Sequence, residues 1–380
     1  MADLFSEYKL KGVTLKNRIA VPPLGQCSAI DGVVQDWHVV NLGAPAVGGA
    51  GLVIAENTAI SPIGRVTPGC AGLWNDKQAE AWSQVVRFCK RQGAVVGIQL
   101  GHSGRKGSAN PPWLGDAHIP ESEGGWPIIA ASARPFGGLL DRCPQEMSLD
   151  DIKRVQGEWV SAVKRALTAG FELLEIHFAH GYLAQSFFSP FGNFRTDQYG
   201  GSFEGRSRFL LETFRQVRAV WPERLPLIAR LGVSDFHPDG LQFEDSLELI
   251  RLLKQEGLDL LDISIGFNSP DVSGIPWGPC FMVPMAERIR REVGIPVAAG
   301  WNIERPQDAD RIIRDEQADL IMIGRQILSD PRWPYHAAQI LGKEDPWRVL
   351  PNQYGAWLKR PVFTACLDQF GESKEVEHAA

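Results

Sequence analysis

The sequence predicts a single (β/α)8 barrel, an α/β TIM barrel with an inserted capping segment after the third strand. Three observations carry that prediction. Short β-branched runs recur eight times, they alternate strictly with longer amphipathic stretches, and no Gly-rich nucleotide turn follows the first run. The strand-like runs span 19–24, 51–59, 95–100, 173–178, 227–231, 260–265, 296–299 and 320–323. Helix-like segments span 78–91, 148–169, 203–221, 243–256, 284–293 and 305–315. Strict alternation means parallel strands covered on both faces, and eight of them close most simply into a barrel. A doubly wound open sheet is the rival, but Gly49-Ala50-Gly51 precedes a strand instead of following one.

One connection breaks the rhythm. Residues 101–147 are rich in Gly, Pro, Ser and Trp and lack a long period, which suggests a functional insertion over the catalytic face. The barrel is therefore expected over 1–360, with a partly disordered C-terminal tail over 361–380.

Bulk properties narrow the function. The chain has 380 residues, 44% hydrophobic and 22% charged, as a large globular core requires. A net charge of -6 without a basic run gives no reason to expect nucleic acid. No apolar run approaches the roughly 20 residues that cross a bilayer. Met1-Ala2-Asp3-Leu4-Phe5 lacks the basic start and apolar stretch of a signal peptide. The six cysteines are scattered without Cys-x-x-Cys spacing, so neither a disulfide framework nor a zinc ribbon is expected, and a reduced cytoplasm fits.

Function in a barrel sits at the C-terminal strand ends. The third strand ends on Gln99, the fourth on His177, His180 and Tyr182, and the fifth on Arg230. Gly300 follows the seventh strand and Gly324-Arg325 the eighth, the places where barrels cradle a phosphate on backbone N–H groups. Tight turns alone would also use these glycines. His177 and His180 could ligate a metal, but they lack the helical spacing and flanking glutamate of a zincin, and no third ligand stands out. As neutral imidazoles both could donate N–H bonds to a carbonyl or nitro oxygen, with Tyr182 as proton donor. Satisfied buried polar groups are the bland alternative.

The run His177-Phe178-Ala179-His180-Gly181-Tyr182-Leu183 resembles the Old Yellow Enzyme family of FMN-dependent, NAD(P)H-oxidising ene-reductases. So do Asn193-Phe194-Arg195-Thr196-Asp197-Gln198-Tyr199-Gly200-Gly201-Ser202 and Arg206-Ser207-Arg208-Phe209. The likeness extends over about residues 3–360 and includes Leu15 to Ile19, Gly64 to Thr67 and Gln99 to Lys106. With Trp277-Gly278-Pro279, Trp301 and Trp357, it looks closest to xenobiotic reductases of the thermophilic-like subgroup.

The resemblance implies FMN as cofactor and NADPH or NADH as electron donor. It implies Pro23, Leu24 and Gly25 beside the isoalloxazine, Gln99 on its pyrimidine edge and Arg230 near N1. Gly300, Gly324 and Arg325 would hold the phosphate. His177 and His180 would bind the substrate's activating oxygen, and Tyr182 would protonate Cα. Trp301 would wall the pocket, although any tryptophan can be plain core. A neighbouring protomer's tail would complete the site, which makes Trp357 and Arg360 candidates and predicts a homodimer or higher homo-oligomer.

Four positions depart from the family pattern. Gly25 stands where the subgroup has cysteine and Cys27 where tyrosine is usual. Gly25 should leave space and shift the redox balance, while Cys27 reads as a small wall residue. Asn57 replaces alanine near the flavin and brings an amide that must find a partner. Gly205 replaces asparagine at a helix start, at an expected cost of about 1 kcal/mol. The reaction expected is reduction of an activated C=C bond in an α,β-unsaturated carbonyl or nitro compound. A flavin desaturase or specialised biosynthetic oxidoreductase, a non-catalytic flavin-binding protein and a metal hydrolase are the alternatives.

Overall fold

Residues 2–360 are described by the structure, a computed structural model; the expected tail over 361–380 lies outside the described residues. A short hairpin, β1 (Tyr8–Leu10) and β2 (Val13–Leu15), comes first. Barrel strands then alternate with helices: β3 (Ile19–Val21), α1 (Asp36–Val47), β4 (Leu52–Ala59), α2 (Asp76–Arg91) and β5 (Val95–Gly101). The insertion carries β6 (Ile129–Ala130) and β7 (Gln145–Glu146), and after it come α3 (Leu149–Ala169), β8 (Leu173–Phe178), α4 (Leu183–Phe188), α5 (Phe203–Val220) and β9 (Leu227–Gly232). The chain continues with α6 (Phe243–Gln255), β10 (Leu260–Ser264), α7 (Val283–Val293), β11 (Val297–Ala299), α8 (Pro306–Arg314) and β12 (Leu320–Met322). It finishes with α9 (Arg325–Ser329), α10 (Trp333–Ile340) and α11 (Asn352–Leu358).

The expected barrel is present. The closed sheet runs β3-β4-β5-β8-β9-β10-β11-β12, with β12 returning to β3 through the parallel pairs Ile321 with Ile19 and Met322 with Ala20. Its interior is a continuous apolar core in which Ile19, Leu52, Ile98, Leu174, Leu227, Leu260, Val297 and Leu320 are fully buried.

Helix starts follow local chemistry. Asn75 accepts from Gln78 N–H at 3.0 Å while Gln78 Oε1 accepts from Asn75 N–H at 3.1 Å, a reciprocal cap on α2. Ser148 and Asp151 do the same for α3, which ends on Gly170 at φ 89.

Several expectations need correcting. The first barrel strand was expected to reach residue 24 but ends at Val21, because Pro22 and Pro23 have no N–H for the ladder. Residues 22–35 therefore form a loop at the barrel mouth. Helix α1 had no counterpart in the sequence reading, since Gly43 and Pro45 interrupt its period. Gly43 is there for packing: a Cβ would lie 2.6 Å from Phe88 Cε1 on α2. The hairpin was also missed. It turns through Lys11 at φ 51 and Gly12, whose N–H donates to Arg224 O at 2.8 Å and ties the hairpin to the loop before β9.

The inserted segment lies against the C-terminal face of the barrel. Arg105 Nη2 donates to Asn268 O at 2.7 Å and Lys106 Nζ to His180 O at 2.9 Å.

Gly205 reverses the expected cost. Its N–H donates to Ser202 Oγ at 3.2 Å at the start of α5, and a Cβ there would collide with the carbonyl oxygen of Gly200. Helix propensity alone would make Gly205→Ala stabilising by about 1 kcal/mol, whereas overpacking costs about 1–3 kcal/mol. The variant is expected to melt at a lower temperature than the parent; a higher melting temperature would show that propensity wins.

Candidate active site

Two cavities open at the C-terminal mouth of the barrel and share one residue, Arg230. The first, about 250 Å³, is lined by Pro23, Gly25, Cys27, Asn57, Gln99, His177, His180 and Tyr182. The second, about 610 Å³, is lined by Leu24, Gly300, Trp301, Gly324 and Arg325. Of the candidate residues read from the sequence, Trp357 and Arg360 line neither cavity. Trp357 lies half-exposed on α11 with the Arg360 guanidinium stacked 4.1 Å from its ring.

Strand ends bring the first group together. His177 is the fifth residue of β8, and His180 follows the strand with its backbone at φ 64. The left-handed turn at His180 and Gly181 swings both imidazoles and Tyr182 to one side. The two His rings sit 5.0 Å apart, and Tyr182 lies 5.1 Å from His177, all edge to face.

Burial sets their protonation. Both histidines are held well below the usual imidazole range, first by burial and then by the Arg230 charge. The pair is therefore neutral at pH 7. Burial, followed by the sulfurs of Cys70 and Cys27, holds Tyr182 far above the usual phenol range, so it keeps its proton.

The two imidazoles are not equivalent. Nε2 of His180 meets Ser264 Oγ at 2.7 Å, and the same oxygen accepts from Trp301 Nε1 at 3.2 Å. Indole is a donor only, so Ser264 is free to give its own proton to Nε2 and leave the other ring nitrogen as the donor. Nδ1 of His177 is buried without a partner.

Beneath them lies a buried charge network. Arg230 Nε stands 3.2 Å from Asp262 Oδ2, and Gln99 Nε2 donates to Glu175 Oε1 at 2.6 Å. Burial and the Asp262 charge push Glu175 well above the usual carboxylate range. Burial raises Asp262 as well, while the Arg230 charge beside it opposes that shift. The sequence reading covered the ends of strands three, four, five, seven and eight. It left out the sixth, where Asp262 and Ser264 sit, and Glu175 faced the same interior two residues before His177.

Other residues were not assigned to the site from the sequence. Lys106 lies over the Tyr182 ring at 5.5 Å, and burial aided by Arg105 pushes its ammonium down to about 7. Cys70, Thr67, Pro112 and Asp116 line the first cavity, the last two from the insertion. Trp277 lines the second, 6.2 Å from Trp301.

The residues present fit a flavin mononucleotide. Gln99 has its amide nitrogen committed to Glu175, which leaves its oxygen as acceptor for a pyrimidine N–H, and Arg230 adds a fixed positive charge. Gly25 and Gly324 have room on the cavity side: a Cβ on Gly25 would meet nothing within 4 Å, and one on Gly324 nothing nearer than 3.5 Å. At the other end Arg325 Nη2 donates to Asn302 Oδ1 at 2.6 Å. Trp301 and Asn302 hold consecutive left-handed conformations at φ 65 and 56, a strained turn of the kind found at ligand clamps. Asn57, expected to find a partner for its amide, keeps a buried Oδ1 with none in the protein. Among the described residues, no group of three His, Cys, Asp or Glu could hold a metal ion. No helix there is long and apolar enough to cross a membrane.

Comparison with known proteins agrees with this chemistry. Residues 3–344 match the NADH:flavin oxidoreductase / NADH oxidase family. A NADPH dehydrogenase from Geobacillus thermodenitrificans (strain NG80-2) is 41% identical over 341 residues, 89% of this chain and 94% of that protein. The chain belongs to this family, the Old Yellow Enzyme family of FMN-dependent oxidoreductases that draw electrons from NAD(P)H. Among solved structures, morphinone reductase in complex with tetrahydroNAD has a TM-score of 0.75 at 26% identity, covering 89% of this chain and 91% of its own. An Old Yellow Enzyme homologue from Zymomonas mobilis shares the fold with a TM-score of 0.74 at 24% identity, over 93% and 98% of the two chains.

Arg325 is expected to carry part of the FMN phosphate's binding energy. A charged hydrogen bond of this kind contributes about 1.5–3 kcal/mol, so Arg325→Ala should raise the FMN Kd about 10- to 100-fold. Flavin fluorescence on dilution measures this, and an unchanged Kd would place the phosphate elsewhere.

Proposed function

We propose that this chain reduces the activated C=C bond of α,β-unsaturated carbonyl or nitro compounds, with NAD(P)H and substrate taking turns in a ping-pong cycle. The observation that carries this reading is the convergence of two neutral imidazoles and a protonated phenol on one cavity, above Arg230.

Bound FMN supplies the two-electron hydride chemistry. The protein's part is positional and electrostatic. Pro23, Leu24, Gly25, Asn57, Gln99 and Arg230 would border the isoalloxazine, and Gly300, Trp301, Gly324 and Arg325 would border the phosphate end. Nδ1 of His180 and a ring nitrogen of His177 would donate to the substrate's activating oxygen and stabilise the negative charge that grows there. A neutral imidazole N–H serves this task because its hydrogen bond strengthens as negative charge grows on the oxygen, without the cost of burying a second cation beside Arg230. Tyr182 would give its phenolic proton to the carbon next to the activating group. Cys27 and Trp301 would wall the substrate, together with Pro112 and Asp116 of the insertion.

The exposed Trp357, with Arg360 stacked on it, supports a homo-oligomer in which α11 of one protomer reaches a neighbour's pocket. A cytoplasmic location accords with the free cysteines Cys27, Cys70, Cys89, Cys143 and Cys280.

Gly25 favours one second reading. Its open cavity side suits a flavin of altered potential, and hence a desaturase running the same bond chemistry in reverse. Dehydrogenation of a saturated ketone under air, in place of enone reduction, would mark that direction.

The test is anaerobic. Flavin reduced by NADPH should be reoxidised by 2-cyclohexenone, maleimide or a nitroalkene. Tyr182→Phe should slow that reoxidation about 100- to 10,000-fold, while reduction by NADPH stays near the parent rate. Reduced flavin that none of these acceptors reoxidises would sink the proposal.

A further inference from the structure

Cys27 and Cys70 lie outside the proton and hydride chemistry, yet both line the cavity of His177 and Tyr182. They come from different connections, the loop after β3 and the loop after β4. Backbone contacts stitch those loops together. Ala29 N–H donates to Gly69 O at 2.8 Å, and Gly69 packs on Cys27 so closely that a Cβ would collide with the Cys27 carbonyl. Cys27 is held at φ 49, a conformation few non-glycine residues adopt. Both thiols are free, and Cys70 adjoins Gly69 in the chain, so the two side chains line one cavity from touching stretches of backbone. Cys70 Sγ accepts from Thr67 N–H at 3.3 Å and lies 3.5 Å from Thr67 Oγ1.

We propose that Cys27 and Cys70 form a redox-active dithiol in the wall of the substrate cavity, oxidised by hydrogen peroxide, with Cys70 attacking and Cys27 resolving. The roles follow from what surrounds each sulfur. Cys70 Sγ accepts from the Thr67 N–H at 3.3 Å, and the neighbouring Cys27 thiol together with Thr67 brings it down to about 7 against the effect of burial. Cys27 is pushed up, first by the Cys70 sulfur and then by burial. Cys70 is therefore the sulfur with thiolate character.

The chemistry balances. The Cys70 thiolate attacks one peroxide oxygen, the O–O bond breaks, and the departing oxygen takes up a proton and leaves as water. Cys27 sulfur then attacks the Cys70 sulfenic acid. The S–S bond forms, the S–O bond breaks, and the hydroxyl leaves with the Cys27 proton as a second water. Two thiols and one peroxide give one disulfide and two waters. Peroxide is what forms when two electrons and two protons pass to dioxygen, and the family description includes NADH oxidases. Both sulfurs lie in the electrostatic surroundings of Tyr182, so oxidation removes negative charge beside the phenol. The pair stands whether or not the enone reading holds.

Peptide mapping of the holoenzyme tests it directly. Trypsin cuts after Arg18, Arg65 and Lys77 and nowhere between them, which places Cys27 on peptide 19–65 and Cys70 on peptide 66–77. After treatment with roughly one equivalent of peroxide, the two peptides should appear joined, two hydrogens lighter than their sum and separable by dithiothreitol. Cys27→Ser should instead accumulate a Cys70 sulfenic acid that dimedone traps, and Cys70→Ser should leave peptide 19–65 unoxidised. Wild-type Cys70 that proceeds to sulfinic acid without a cross-link overturns the proposal. So does a pair that stays reduced while the exposed Cys143 is oxidised. The wild-type map decides the matter even if a serine variant fails to fold.

Discussion

The buried positive charge of Arg230 is the constraint around which the site is organised. Asp262 pairs with it, burial and the Asp262 charge hold Glu175 above the usual carboxylate range against its pull, and its field adds to burial in lowering both histidines. Removing one partner from a buried ion pair typically costs about 3–5 kcal/mol, so the pair is not free to vary. Its position is fixed by register: Asp262 stands opposite Arg230 across β9 and β10, and Arg230 stands opposite His177 across β8 and β9. One row of the barrel ladder thus carries the carboxylate, the cation and the imidazole side by side.

Much of this was legible in the sequence because barrel strands are short, apolar and bounded by turn residues. All eight strands, and the helices α2, α3 and α5 to α8, lie within a few residues of where the pattern puts them. What escaped was governed by tertiary contact instead of local pattern. Gly43 and Pro45 look like helix breakers until Phe88 is seen filling the space beside Gly43. Gly205 reads as a weak helix start until the Gly200 carbonyl is seen against it. The hairpin β1–β2 is only three residues a side, too short for alternation to stand out.

The site was legible where function rides on strand ends and opaque where it depends on pairing across the barrel. His177, His180, Tyr182, Gln99 and Arg230 follow from the strand-end rule. The meeting of Ser264 with His180 spans 84 positions of sequence, and no periodicity announces it. The same holds for Cys27 and Cys70, which read as scattered cysteines until two loops bring them into one wall.

Ser264 gives the pocket a further property. Its single hydroxyl is shared between the indole of Trp301 and the imidazole of His180. The wall and the oxygen-binding donor are therefore wired in series. Both contacts fall on one oxygen, so the indole and the imidazole share a single anchor on β10. A ligand bulky enough to push the indole aside would therefore also disturb the support behind the imidazole. Fit against the wall and alignment of the oxygen-binding group are thus mechanically linked, and the cavity's tolerance for size bears on how well it can orient what it holds.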